Sequence, residues 1–146
     1  MIELMKSRSS TSARLPDFVE PMKAKLVDSV PSGDWIYEIN FDGYRALALR
    51  GGSEARVLSR NEKDLGSKFS EVKDSIGALD IQDAIIDGEI VALDKKGRSS
   101  FQLLQSFDMG RDRPPIVFYA FDLLQLNGKT FKVYPSKNER ENWKSY

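Results

Sequence analysis

Three short segments place polar residue types where the surrounding pattern is apolar. The first is Glu38-Ile39-Asn40-Phe41-Asp42-Gly43-Tyr44-Arg45. Glu38 and Asn40 alternate with apolar neighbours, and an Asp-Gly turn then presents Arg45. On periodicity alone this is a half-exposed strand followed by a tight turn. The second segment is Asp87-Gly88-Glu89, two carboxylates inside an otherwise apolar strand. Burying such charges without partners is costly, so they need a cation, a sugar hydroxyl or an arginine. A salt bridge at a strand edge meets that need as well as a ligand does, and both readings stay open. A glycine between them suggests a bulge or a close backbone approach. The third segment is Phe118-Tyr119-Ala120-Phe121-Asp122. Aromatics alternating along a strand suit core packing, and one face could instead stack a purine.

Composition narrows the chemistry. The chain has no Cys and no His. Disulfides, thiolate or imidazole metal ligation, Ser-His triads and the commonest general base are therefore excluded. A metal would need oxygen ligands, which points to Mg²⁺-like chemistry. Lys plus Arg is 22 and Asp plus Glu is 22, so nucleic-acid contact would have to come from a local patch. No apolar run approaches the roughly 18 residues of a membrane span, and no secretory leader is evident. The expected compartment is the cytoplasm.

The elements that position these segments follow from periodicity. Residues 1–15 form a Ser-rich, aperiodic stretch, expected to be a flexible tail. An irregular lead-in with Pro16, Pro21 and Pro31 runs to Asp34. Strands are expected from Trp35 to Phe41, Tyr44 to Arg50, Ala55 to Ser59, Ala84 to Leu93 and Ile116 to Leu124. Gly51-Gly52 and Asn127-Gly128 read as hairpin turns. Phe69, Val72, Ile76 and Leu79 recur at helical spacing, which predicts a helix over 68–79. Ser99-Ser100 suits the cap of a helix from Phe101 to Phe107. A further helix is expected to begin near Pro135. The mix predicts an α+β domain of largely antiparallel sheet.

Taken in order, the segments resemble the nucleotidyltransferase motifs of ATP-dependent DNA ligases, and within them the bacterial ligase D type. Glu38 to Arg45 resembles motif I, Glu-x-Lys-x-Asp-Gly-x-Arg. Ser59-Arg60-Asn61 is similar to motif Ia, Asp87 to Asp94 to motif III, and Phe118 to Leu124 to motif IIIa. Glu20-Pro21-Met22 and Gly97-Arg98-Ser99-Ser100-Phe101-Gln102 also resemble ligase D. The order and spacing of the motifs favour DNA ligases over RNA ligases and mRNA capping enzymes. The resemblance implies a nucleotidyltransferase (ATP-grasp-like) fold and a role in DNA repair and recombination by end joining. It also implies a three-step reaction. A lysine takes AMP from ATP, AMP passes to a DNA 5′-phosphate, and the 3′-hydroxyl then displaces AMP. ATP and Mg²⁺ are the implied cofactors, and nicked or broken duplex DNA and Ku the implied partners.

Residue by residue, the resemblance implies that Glu38 accepts from the adenine amine and that Ile39 offers backbone contacts to the purine. Arg45 would reach the ribose or phosphates, and Arg60 the phosphate of the 5′ end. Glu89 would bind ribose hydroxyls or a metal, Phe121 would stack on adenine, and Asp42 would act at the sealing step. Asn40 stands where the family has its lysine. A carboxamide nitrogen has its lone pair tied up in resonance and carries no charge, so it cannot form the covalent adenylate. Residues 16–146 match only the part of the domain with motifs I, Ia, III and IIIa, without motifs IV and V or the OB-fold domain. That predicts exposed sheet edges, self-association and no self-adenylation. The alternative reading is a non-catalytic nucleotide- or DNA-binding module derived from a ligase.

Overall fold

A computed structural model describes residues 14–22, 28–29, 32–33 and 39–131. In chain order it contains β1 (Tyr44–Gly51), β2 (Glu54–Ser59), α1 (Ser70–Gly77), β3 (Asp83–Ala92), α2 (Phe101–Asp108), β4 (Ile116–Leu126) and β5 (Lys129–Thr130). The strands form one sheet in the order β2-β1-β3-β4-β5, and every pairing is antiparallel. The architecture is therefore α+β with a mainly antiparallel sheet.

β1 is buried on both faces because it alternates two sizes of apolar side chain. Ala46 and Ala48 point one way, Leu47 and Leu49 the other, and all four are at most 1% exposed. On the alanine side, Ala46 meets a cluster of Val57, Phe69, Val72, Ile90, Ala92 and Leu104. Phe69 and Val72 bring in α1 and the turn before it, and Leu104 brings in α2. Small alanines let both helices approach the sheet closely. On the leucine side, Leu47, Leu49, Leu58 and Ile85 are covered by Leu15, Phe18 and Val19 of the lead-in and by Leu124. Each fully buried leucine contributes about 1.5–3 kcal/mol. Gly51 permits that lead-in contact, since a Cβ there would lie 2.4 Å from the Leu15 Cα.

Several expectations shift. Gly51 belongs to β1, so the turn is Gly52-Ser53, with Gly52 at φ +56°. The first helix is shorter than 68–79, because the amides of Lys68 and Phe69 bond back to the Leu65 carbonyl in a turn. The second helix lacks the serine cap: Ser100 occupies the cap position, but no side chain of its own caps the helix. Asp42 supplies the acceptor instead, with its carboxylate 3.1 Å from the Phe101 amide nitrogen. β3 is not interrupted at Asp87-Gly88-Glu89, and it lies between β1 and β4, so these carboxylates are not at an edge. Ile39 to Phe41, expected as strand, are irregular. The rest of that expected strand, most of the tail and the helix from Pro135 lie outside the described residues. The Asn127-Gly128 turn is as expected, with both residues at positive φ.

Candidate functional site

The register of the central strands builds the site. Arg45 on β1 pairs with Glu89 on β3, and Glu89 pairs with Tyr119 on β4. Asp87 lies two residues from Glu89 and so faces the same side. The β3–β4 register shifts between Asp87 and Gly88: Asp87 pairs with Asp122, but Gly88 pairs with Ala120. Phe121 is the extra residue of this bulge, and the kink turns its ring toward Arg45. The Arg45 guanidinium carbon lies 5.3 Å from the Phe121 ring centroid. Nothing in the spacing of 118–122 announces the bulge, since it depends on how β4 meets β3.

Arg45 is held as a fork. Its Nε donates to Asp87 Oδ1 at 3.1 Å and its Nη2 to Asp87 Oδ2 at 2.7 Å. Asp87 is only 3% exposed, so this bidentate pairing compensates its burial. The pairing, together with nearby Glu89 and Asp122, raises the Arg45 pKa and keeps it charged. The ribose or phosphate contact implied for Arg45 would therefore be made by a guanidinium whose position Asp87 already fixes. Burial pushes the Glu89 carboxyl above its ordinary value, and Arg45 and the Gly43 amide pull partly the other way. Gly43 lies so close to β3 that a Cβ would sit 2.1 Å from the Ile90 carbonyl oxygen. Gly88 is equally constrained, with Tyr119 O and the Phe118 ring each 2.5 Å from an added Cβ. The Asp-Gly and Asp-Gly-Glu segments thus carry their glycines for close packing around the site.

Phe121 keeps a ring face to solvent at 43% exposure, and Ile39 is 79% exposed. Phe41 stacks on Tyr119 with centroids 4.6 Å apart, which anchors the segment carrying Asn40 to β4. Asn40 itself is exposed. Arg60 is exposed at the end of β2, at the same end of the sheet as the 39–43 segment. Glu38 lies outside the described residues. The structure thus brings Arg45, Glu89 and Phe121 together, leaves Asn40 and Ile39 exposed, and bonds Asp42 to α2. Among the described residues no three acidic side chains are grouped to hold a metal. For Asp87 the sequence left a ligand contact and a salt bridge both open, and the structure gives a salt bridge to Arg45, on a central strand and not at an edge. A cavity of about 520 Å³ lies elsewhere, between the lead-in and the β1–β2 hairpin, lined by residues including Arg14, Phe18 and Arg56. None of the motif residues lines it, and the convergence of charged groups on the open sheet face locates the site better than concavity does.

Residues 16–145 match the ATP dependent DNA ligase domain family. The chain belongs to the ATP-dependent DNA ligase family. This ligase chain is 33% identical over 128 residues to the multifunctional non-homologous end joining protein LigD of Pseudomonas aeruginosa, covering 87% of the chain and 15% of that protein. It is 35% identical over 130 residues to DNA ligase C of Mycobacterium tuberculosis, covering 84% of the chain and 36% of that protein. The ligase domain of M. tuberculosis LigD superposes with a TM-score of 0.58 at 31% identity, covering 74% of the ligase chain and 35% of that domain. A mycobacterial DNA ligase D complexed with ATP and MES superposes with a TM-score of 0.57 at 31% identity, over the same shares. The ligase chain thus spans well under half of each of these relatives.

Proposed function

We propose that this chain binds ATP on the sheet face formed by Arg45, Glu89 and Phe121, and that it does not form a covalent adenylate. The observation that carries the reading is the gathering of these three side chains on one face; Asn40, one residue before the Phe41 that stacks on Tyr119, stands where the family motif has lysine. Phe121 would stack the purine, Glu89 would accept from ribose hydroxyls, and Arg45, already clamped by Asp87, would present a fixed positive charge to the phosphates. Glu38 and Ile39 would meet the purine edge. A lysine amine could form an N–P bond to the α-phosphate and expel pyrophosphate, whereas the Asn40 carboxamide has no lone pair to donate. The Mg²⁺ implied by the family would be held by Glu89 together with the nucleotide phosphates, where it would neutralise charge on the phosphoryl oxygens. A ligase-family context of break repair with duplex DNA and Ku, in the cytoplasm, belongs to the same proposal.

Incubation with labelled ATP followed by denaturing electrophoresis tests it. The expected result is no protein–AMP band. A stable band would overturn the non-adenylating reading, and a band seen only with Asn40→Lys would localise the defect to residue 40. Calorimetry tests the retained pocket. Weak ATP binding that Phe121→Ala abolishes is expected, and no binding even at millimolar ATP would sink the nucleotide-binding reading. The second reading, a non-catalytic nucleotide- or DNA-binding module, is favoured by the same face without a nucleophile. Duplex binding without ATP binding would favour the DNA-binding form of that module.

A further inference from the structure

The Asp42 carboxylate bonds to α2, although its charge is near enough to raise the Glu89 pKa. Its carboxylate accepts from the Phe101 amide at the first residue of α2, across a separation of 59 residues. Ser100, which occupies the cap position with extended φ and ψ, uses no side-chain oxygen there. A negative acceptor at a helix N-terminus is favoured both as a hydrogen bond and against the helix dipole. The attachment is reinforced two residues on. The Tyr44 ring meets the Phe101 ring edge-on at 5.5 Å, and the Tyr44 hydroxyl donates to Asp108 Oδ2 at 2.8 Å at the other end of α2. Between Asp42 and Tyr44, Gly43 is pressed against the Ile90 carbonyl and the Glu89 side chain, whose Cγ would lie 3.0 Å from an added Cβ. The chain from 42 to 44 is therefore held by α2 on one side and packed against the Glu89 side chain on the other.

We propose that Asp42 is a positioning residue: by capping α2 it fixes the 39–43 segment, and through Gly43 the Glu89 carboxylate, in the arrangement that a nucleotide meets. This rests on the nucleotide-binding reading only for its effect on affinity. The capping role stands on the contacts of the protein alone. It also departs from the sealing-step role that the family resemblance implies for Asp42. A carboxylate acting directly on a ligand depends on its charge, whereas a cap needs only an acceptor oxygen. Asn serves about as well as Asp at a helix cap, and Ala does not.

The experiment compares Asp42→Asn, Asp42→Ala and Ser100→Ala in the full chain by amide hydrogen exchange, by NMR titration of Glu89 and by ATP calorimetry. Asp42→Ala is expected to speed exchange at the Phe101 and Gly43 amides by about five- to tenfold, with Ile90 and Val91 in β3 unchanged. It should also move the Glu89 titration and weaken ATP binding by a similar factor. Asp42→Asn should stay within about twofold of the parent in exchange and in ATP affinity, while the Glu89 titration falls because the Asp42 charge that raises it is gone, and Ser100→Ala should change none of the three. Loss of Phe101 protection in Ser100→Ala would overturn the proposal. So would an Asp42→Asn protein that keeps Phe101 protected yet binds ATP as poorly as Asp42→Ala, since the charge would then act directly. Should the parent chain fail to bind ATP, the functional reading falls, but exchange still decides the cap. Should Asp42→Ala fail to fold, Asp42→Asn and Ser100→Ala decide it, and lost Phe101 protection in Asp42→Asn refutes it.

Discussion

Glu89 shows how burial and neighbouring groups together set one side chain. Burial on the central strand disfavours its charge, while Arg45 and the Gly43 amide favour it, and burial is the largest of these. The direction fixes a pH dependence. A carboxyl whose pKa is raised by folding contributes stability below its unfolded pKa, and that contribution is lost as pH rises through the folded value. Glu89→Gln removes this loss. Denaturant melts from about pH 4 to about pH 7 should therefore show the variant gaining on the parent as pH rises. A parent-to-variant difference that stays flat or runs the other way would contradict the burial of this carboxyl. The Asp87 carboxylate next to it is buried too, but its fork to Arg45 makes it a structural partner. A ligand that drew Arg45 off Asp87 would leave a buried charge unpaired, which is why Arg45 is expected to act in place.

Among the elements, the junction of the 42–43 turn with β3 is the tightest. Gly43 fits because it lacks a Cβ, and the nearest obstacle is the Ile90 backbone oxygen, which no rotamer change can move. Gly43→Ala is expected to lower stability by about 2–3 kcal/mol, as overpacking against backbone does. It should also displace the Gly43 amide from Glu89. Chemical denaturation checks the first effect, and the Glu89 chemical shift checks the second. A neutral substitution would mean that β1 and β3 can separate locally at little cost. The β4 bulge is a second such junction. It carries Phe121, and its neighbour Gly88 tolerates no side chain against Tyr119 O. β4 also carries the exposed run Ala120 to Leu123.

For the whole molecule, topology gathers basic residues that the sequence scatters. Arg60 ends β2, Lys95 and Lys96 follow β3, and Arg111 and Arg113 precede β4, so all lie at one end of the sheet. The Leu93 amide bonds to the Pro115 carbonyl, which ties the two loops together there. Arg98 spends its charge on Asp94, with its Nη2 2.8 Å from the carboxylate, and Arg45 is paired with Asp87. With formal net charge zero overall, only weak duplex binding is expected of this patch. Fluorescence anisotropy should show affinity lost by moderate salt and no preference for nicked over intact DNA. Tight, nick-selective binding at about 0.15 M salt would show that the patch reads DNA more fully than its charge suggests.

Local patterns were enough to identify β1 to β4, both helices and the Asn127-Gly128 hairpin, because each rests on a period or a turn signal within a few residues. The motif residues were legible for the same reason: a carboxylate in an apolar strand is conspicuous wherever that strand goes. The same patterns could not reveal which partner satisfies each group. Asp87 finding Arg45, Asp42 displacing Ser100 as the cap of α2, and Phe121 rotating onto the site through a bulge all depend on contacts between residues 42 or more apart in the chain, or on strand register. Register is set by how two apolar faces pack at once, here the helices on one side of the sheet and the lead-in on the other. Residue chemistry and local elements were therefore written in the sequence, while their pairing into a site was decided only when both faces of the sheet were covered.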